Sequence, residues 1–322
     1  MESVEMKSHS PSNGFRLVRT GVALIVSAMT LWSCSRSPAK QSAAAPAEKT
    51  IAVSLLTMQH QFYQELRAGL ESAADELHYR LIVSSAEFDP ARQANQIDEF
   101  IVQHVDAIVL CPSDSRSVGA TVLAANDASI PVVTADIASQ STLGQVQCHI
   151  ASDNFAGGRK AATLLARAMN DEGQVVILSQ PEVSSVSDRV RGFREEMKSH
   201  PKIEIVAELS AEGRRDRAVT VMEDLLQSQP DLTGVFGIND DSALGALAAV
   251  ESAGKLDTVH IVGYDATPEA RKRIDAGDMY GDVIQYPRRI GELTIHAIDD
   301  LLNGRPVPKI IPVQVGSYTG GA

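Results

Sequence analysis

Two doubly wound α/β lobes built on parallel sheets are the fold predicted for this chain, and three observations predict them. Short β-branched runs alternate with helical stretches from Thr50 onward. Most of these runs are continuously apolar, as strands covered on both faces are. They also fall into two groups of five. The first group is TIAVSLL (50–56), RLIVSS (80–85), AIVLC (107–111), PVVTAD (131–136) and VQCHIAS (146–152). The second is QVVILS (174–179), IEIVAEL (203–209), GVFGIN (234–239), HIVGYD (260–265) and GDVIQ (281–285).

Helical spacing fills the intervals. Phe62, Leu66, Leu70, Ala73, Ala74 and Leu77 recur every three or four residues and share a face, as do Leu164, Leu165, Ala168 and Met169, and Leu244, Leu247 and Ala248. Asp153 or Asn154 is placed to cap the second of these helices. Phe62 and Tyr63 are adjacent, so the helical period puts one of them on the apolar face and the other elsewhere. Strand–helix–strand alternation implies right-handed crossovers in each lobe.

Residues 1–49 stand apart. Lys7, Arg16 and Arg19 precede an apolar run, Gly21–Trp32, too short to span a bilayer but of signal-peptide length. Residues 1–33 therefore read as a signal peptide. The run ends at Leu31-Trp32-Ser33-Cys34, which resembles a bacterial lipobox and makes Cys34 the lipidated residue, although Trp32 stands where a small residue is usual. Residues 34–49, rich in Ser, Ala and Pro, read as a tether. The protein is thus expected in the periplasm or cell envelope, anchored by lipid to a bacterial membrane.

The formal charge of the chain is −12. Three basic and two acidic residues leave +1 up to Ser33, so the remainder carries −13 with no basic patch, which excludes nucleic acid as a partner. Cys111 and Cys148 lie in apolar strand runs and read as buried thiols. Hydrolase, zincin, redox, phosphate-loop and calcium-loop motifs are missing, so no catalytic residue, metal or cofactor is assigned.

In open α/β sheets ligands bind beyond the carboxyl ends of the strands. The polar and aromatic residues at those ends are His60, Phe62 and Tyr63, then Ser113 and Asp114, then Asp136. In the second half they are Arg189, Asn239 to Asp241, Asp265 and Gln285. Carboxylates, amides and a guanidinium supply the paired donors and acceptors that vicinal hydroxyls need, and aromatic faces cover C–H patches. The set suits a small polyhydroxylated ligand. Each carboxylate also has a plainer reading. Asp136 and Asp265 suit helix caps, Arg189 an ion pair with Glu195 or Glu196, and Asp240-Asp241 a cap on a solvated surface.

On IPVVTAD (130–136), HIASDN (149–154), NDDSALGAL (239–247) and VGYDATPE (262–269), the chain resembles periplasmic sugar-binding proteins of the ribose- and galactose-binding type, nearest the ribose-binding proteins of ABC transporters. The likeness runs from about Thr50 to Val315. It implies lobes of residues 50–150 with 286–314 and 151–285 with 315–322, joined by a three-segment hinge near 150–153, 284–287 and 314–317. It implies that Phe62 and Tyr63 sandwich the sugar and that Asp136, Arg189, Asn239, Asp265 and Gln285 hold its hydroxyls. Ile137 stands where a ribose binder has arginine, His60 where it has asparagine, and Gly213 near a third aromatic wall. These departures point away from ribose itself. The resemblance implies a monomer that delivers its ligand to an ABC permease. Presentation of the closed form to a chemoreceptor or sensor kinase is the alternative, and glycoside hydrolysis by the carboxylates the reading from another class.

Overall fold

A computed structural model describes residues 48–320; the proposed signal peptide, Cys34 and all but the last two residues of the tether lie outside them. The elements run β1 (Thr50–Leu55), α1 (Gln61–Glu76), β2 (Arg80–Ser85), α2 (Pro90–Val102), β3 (Ala107–Leu110), α3 (Gly119–Asp127), β4 (Val132–Ala135), β5 (Val146–Ser152), α4 (Asn154–Ala168), β6 (Gly173–Ser179) and α5 (Ser184–Met197). They continue with β7 (Ile203–Ser210), α6 (Arg215–Ser228), β8 (Leu232–Gly237), α7 (Asp240–Ser252), β9 (His260–Asp265), α8 (Pro268–Asp275), β10 (Gly281–Ile284), α9 (Pro287–Leu302), β11 (Ile310–Val313) and β12 (Gly316–Tyr318).

These strands form two six-stranded sheets with the same permuted order, β2-β1-β3-β4-β5-β11 and β7-β6-β8-β9-β10-β12. Every pairing is parallel except β10 with β12. The fold is therefore the expected pair of doubly wound lobes. The chain passes between sheets three times: from β5 into α4, from β10 through Gln285 and Tyr286 into α9, and from β11 to β12.

The sixth strand of each sheet is an addition to the ten expected. Ile310–Val313 contains Pro312 and exposes Ile310, and Gly316–Tyr318 is three residues long. Edge strands this short owe their order to the neighbour they pair with; the β-branched Ile310, Ile311 and Val313 are too few, and broken by Pro312, to mark a strand by themselves.

Helix α1 buries the expected stripe, including Leu66 and Leu70 at 0 % exposure, each contributing roughly 1.5–3 kcal/mol of hydrophobic stabilisation. It ends where His78 adopts a left-handed conformation (φ 57°) and Tyr79 N–H reaches back to Ala74 O at 2.9 Å, a Schellman closure. Ala248 departs from its predicted face. It is exposed on α7, while Ala243, Ala246 and Val250 are buried with Leu244 and Leu247. The buried surface of α7 is set by its packing on α6 and β9 rather than by apolar spacing alone.

In the second lobe α4 packs on α5 at glycine. A Cβ on Gly158 would stand 1.9 Å from the carbonyl oxygen of Arg189, a backbone atom that cannot swing aside. Gly158→Ala is therefore expected to destabilise the protein by about 1–3 kcal/mol through overpacking, read as a lower urea midpoint. A wild-type midpoint would show that the two helices part without cost. Phe193 and Phe236 stack beneath this contact, with centroids 4.6 Å apart.

Candidate functional site

One cavity, with about 370 Å³ of empty space counting its opening to solvent, lies between the carboxyl ends of the two sheets. His60, Phe62, Tyr63, Asp136, Ile137, Arg189, Asn239, Asp265 and Gln285, nine of the residues singled out from sequence, line it.

From the first lobe, the N-terminal turn of α1 supplies His60, Phe62 and Tyr63. Phe62 and Tyr63 are both buried, at 5 % and 4 % exposure, and both face the cavity, which corrects the expectation that one would point elsewhere. Helical period separates two sides of a helix only where one side meets solvent. This turn ends in the cleft and is covered on both sides. The Tyr63 hydroxyl donates to Asp136 Oδ2 at 2.8 Å. Burial first, then neighbouring Asp136, push the tyrosine pKa well up, so it stays a donor.

Asp136 sits in a left-handed conformation (φ 64°), and Ile137 N–H donates to Ala135 O at 2.7 Å. That hydrogen bond closes a γ-turn, a strained geometry. It turns the carboxylate inward, so Asp136 caps no helix. Its Oδ1 is buried without a hydrogen-bond partner. Burial raises the Asp136 pKa, against the opposing pull of Arg189 and the Tyr63 hydrogen bond. Ile137, 1 % exposed, is an apolar wall beside it.

From the second lobe, Arg189 on α5 is 4 % exposed. Its Nε donates to Asn154 Oδ1 and its Nη1 to Ile238 O, both at 2.8 Å, and its guanidinium lies 4.0 Å from the Tyr264 ring centroid. The plainer ion pair is not formed: Glu195 pairs with Lys198 and Glu196 with Arg159, while Arg191 pairs with Asp188 at the surface. Asn239 caps α7, accepting from Ser242 N–H at 2.9 Å and donating to Gly213 O at 2.9 Å.

Asp265, at the end of β9, also has positive φ (128°), as does Ala266 (59°). Thr267, not Asp265, caps α8. Asp265 Oδ1 accepts from Gln285 Nε2 at 2.6 Å, and Gln285 Oε1 is buried without a partner. Burial and then Asp240 push the Asp265 pKa well up, with Arg189 opposing.

Several strand-end expectations fall elsewhere. Ser113 and Asp114 do not line the cavity. Asp114 Oδ1 accepts from Arg116 and Ser117 N–H at 2.8 Å, fixing its own loop. Asp240, expected at a solvated surface, is 2 % exposed. Its helix starts beneath the Asp265 turn, where Thr267 N–H donates to Asp240 Oδ2 at 2.7 Å. Gln180 was missed, although it directly follows the carboxyl end of β6 and the strand-end rule finds it. A Cβ on Gly213 would stand 2.5 Å from Gln180 Oε1, so the amide of Gln180 fills the place of the expected third wall.

The lobes touch directly on either side of the cavity. Ser184 Oγ accepts from Ala138 N–H at 2.8 Å and donates to Ala138 O at 3.1 Å. Ser184 N–H donates to Ser115 Oγ at 2.9 Å, and Ser115 N–H to Glu182 O at 3.0 Å. Across from this clasp, His60 Nε2 lies 3.7 Å from Asp241 Oδ2. Burial lowers the His60 pKa, with Asp241 opposing, which disfavours the charged imidazolium in this contact. Ser184→Ala removes two hydrogen bonds between the lobes at about 1 kcal/mol each. It is expected to weaken ligand binding roughly 5- to 30-fold, through faster release in stopped-flow traces. Unchanged release would show that the clasp does not hold the lobes.

Cys111 and Cys148 are buried free thiols, and burial pushes Cys148 up to about 11. Among the described residues no three or more His, Cys, Asp or Glu side chains are grouped to hold a metal ion, and no helix is long and apolar enough to cross a membrane.

Two α/β lobes of identical strand order, crossed three times by the chain and meeting over a polar cavity, define a bilobal solute receptor. Residues 51–306 match the periplasmic binding protein domain, and the chain belongs to that family. It is 35% identical over 287 residues to the ribose import binding protein of Escherichia coli, covering 89% of this chain and 96% of that protein. Among solved structures it resembles an ABC transporter solute-binding protein from Agrobacterium vitis bound with α-D-tagatopyranose. The TM-score is 0.81 at 29% identity, over 84% of this chain and 95% of that one. The Caulobacter myo-inositol binding protein superposes with a TM-score of 0.80 at 27% identity, over 85% and 94% of the two chains.

Proposed function

We propose that this protein captures a neutral polyhydroxylated small molecule, a monosaccharide or cyclic polyol, between its lobes and delivers it to the permease of an ABC importer. The observation that carries the reading is the meeting, in one cavity, of a carboxylate from each lobe with Arg189 between them. Two buried acceptors there, Asp136 Oδ1 and Gln285 Oε1, lack donors. Hydroxyls of one ligand meet that need from both sides at once, which favours the closed arrangement of the lobes. Phe62 and Tyr63 cover its C–H faces, and Ile137 faces a part of it that carries no hydroxyl. Asn239 and Gln180 complete the amide contacts.

The lobes are residues 50–150 with 286–314 and 151–285 with 315–322, turning on the three crossings. Cys34 carries the lipid that keeps the receptor near its permease. The names of the relatives support the ligand class: ribose, tagatopyranose and myo-inositol share vicinal hydroxyls on a compact ring or chain.

Thermal shift of the purified protein against ribose, allose, tagatose, xylitol, myo-inositol and a 6-deoxyhexose tests the proposal. A ligand at about 100 times its Kd stabilises by about 2.7 kcal/mol, a rise of roughly 5 °C or more. A folded protein that responds to none of them, nor to a wider sugar and polyol panel, would overturn the ligand class.

A further inference from the structure

Behind Asp265 lies a second pair of carboxylates, neither of which lines the cavity. Asp240 on α7 and Asp282 on β10 are 2 % and 0 % exposed. Three of their four oxygens, Asp240 Oδ1 and both of Asp282, have no hydrogen-bond partner. The fourth, Asp240 Oδ2, accepts from Thr267 N–H at 2.7 Å. Gly263 on β9 makes room for the pair: a Cβ there would stand 2.8 Å from Asp240 Oδ1 and 3.0 Å from Asp282 Oδ2.

Two carboxylates facing each other in a buried site do not readily both ionise. Burial, Asp240 and Asp265 all push the Asp282 pKa up; the adjacent Val283 N–H, outside hydrogen-bond geometry to either oxygen, opposes them weakly. Asp240 faces Asp282 and, beside it on α7, Asp241. Asp265 faces Asp240 and, across the cavity, Arg189 and Asp136. Arg189 favours its ionised form.

The turn that follows β9 depends on this pair. Asp265 and Ala266 both hold positive φ without being glycine, a conformation that persists only where neighbours enforce it. The Thr267–Asp240 hydrogen bond ties down the far end of that turn, and Asp240 N–H reaches Asp265 Oδ2 at 3.5 Å.

We propose that Asp240 and Asp282 hold one proton between them, with the Asp282 hydroxyl donating to Asp240 Oδ1. This acid pair is a positioning unit that pins the 265–267 turn and so aims Asp265 into the cavity. The importance of that aim rests on the ligand role given to Asp265 above. The experiment reads the proton and the turn without any ligand, so the two readings fail separately.

Asp282→Asn keeps a neutral donor to Asp240, whereas Asp282→Val removes it. In the ligand-free protein at pH 7.5, the infrared band of a protonated carboxylic acid is expected in the wild type and weaker by one carboxyl in Asp282→Asn, whatever Asp136 and Asp265 contribute to both. The folded state holds a proton that the unfolded chain releases above about pH 4, so this acid subtracts stability as pH rises through that window. Asp282→Asn is accordingly expected to melt higher than the wild type at pH 7.5, with the gap closing toward pH 4.

Amide exchange at Thr267 is expected to match the wild type in Asp282→Asn and to be at least tenfold faster in Asp282→Val. Asp282→Ala serves for this comparison if the valine variant does not fold. An acid band no weaker in Asp282→Asn than in the wild type, or an asparagine variant that gains no stability at pH 7.5, would overturn the shared proton. Thr267 equally protected without the donor would overturn the positioning role.

Discussion

Arg189→Met is expected to abolish ligand binding and to destabilise the protein by about 3–5 kcal/mol, the range for removing one partner from a buried charged network. The guanidinium is 4 % exposed, bonded to Asn154 and Ile238 O, stacked on Tyr264, and faces both Asp136 and Asp265. Its loss leaves Asn154 Oδ1 and the Ile238 carbonyl without that donor, and two buried carboxylates without the charge that favours their ionised forms. Both carboxyls then take up protons more readily. The cavity loses its charged acceptors together with its only guanidinium, and affinity falls more than about 100-fold. Arg189→Lys is expected to recover part of the stability and little of the affinity, because an ammonium does not reproduce two directed N–H bonds on a planar stack. Urea unfolding and titration calorimetry check both numbers. Affinity within a few-fold of wild type in Arg189→Met would remove Arg189 from the ligand's contacts.

Asp265→Asn is expected to act in opposite directions on function and stability. A hydrogen bond to a charged group is worth about 1.5–3 kcal/mol, so binding weakens roughly 10- to 100-fold. Stability, however, rises. Burial and Asp240 push the Asp265 pKa up in the folded protein. A raised carboxyl pKa means that the folded state binds more protons than the unfolded chain above about pH 4, and stability is lost as pH climbs toward the folded value. The asparagine variant escapes that loss and still accepts from Gln285 Nε2 through its carbonyl. Melting temperatures at pH 4.5 and pH 8 test the sign: the variant gains on the wild type at the higher pH. A variant less stable at pH 8 would mean that Asp265 is held ionised by its surroundings. Placed beside Arg189→Met, the pair separates a residue that stabilises the site from one that function keeps at the expense of stability.

Eight of the nine cavity residues were legible because they lie at, or in the segment that follows, the carboxyl end of a strand run, where a doubly wound sheet presents side chains to a ligand; Ile137 came from the family resemblance. Gln180 obeys the same rule and was passed over for Arg189, which lies beyond it on α5. Asp282 was not legible at all. It sits inside β10 with 0 % exposure, and nothing in GDVIQ tells a buried acid from a residue at an exposed edge. The difference lies in Gly263 and Asp240, which come from other strands and helices.

Local chemistry along the chain was enough for the two-lobed α/β class, ten of the twelve strands described, a cap for α4 at Asp153 or Asn154, and the polar residues at the strand ends. Apolar run length, helical period and capping are short-range properties, decided by residues a few positions apart. Tertiary packing alone decided the rest. It paired the edge strands β11 and β12, buried both Phe62 and Tyr63, closed Ser184 onto Ala138 across the lobes, and placed Asp240 against Asp282. Each of these depends on groups distant in sequence, whose contact energy exists only once the sheets have formed.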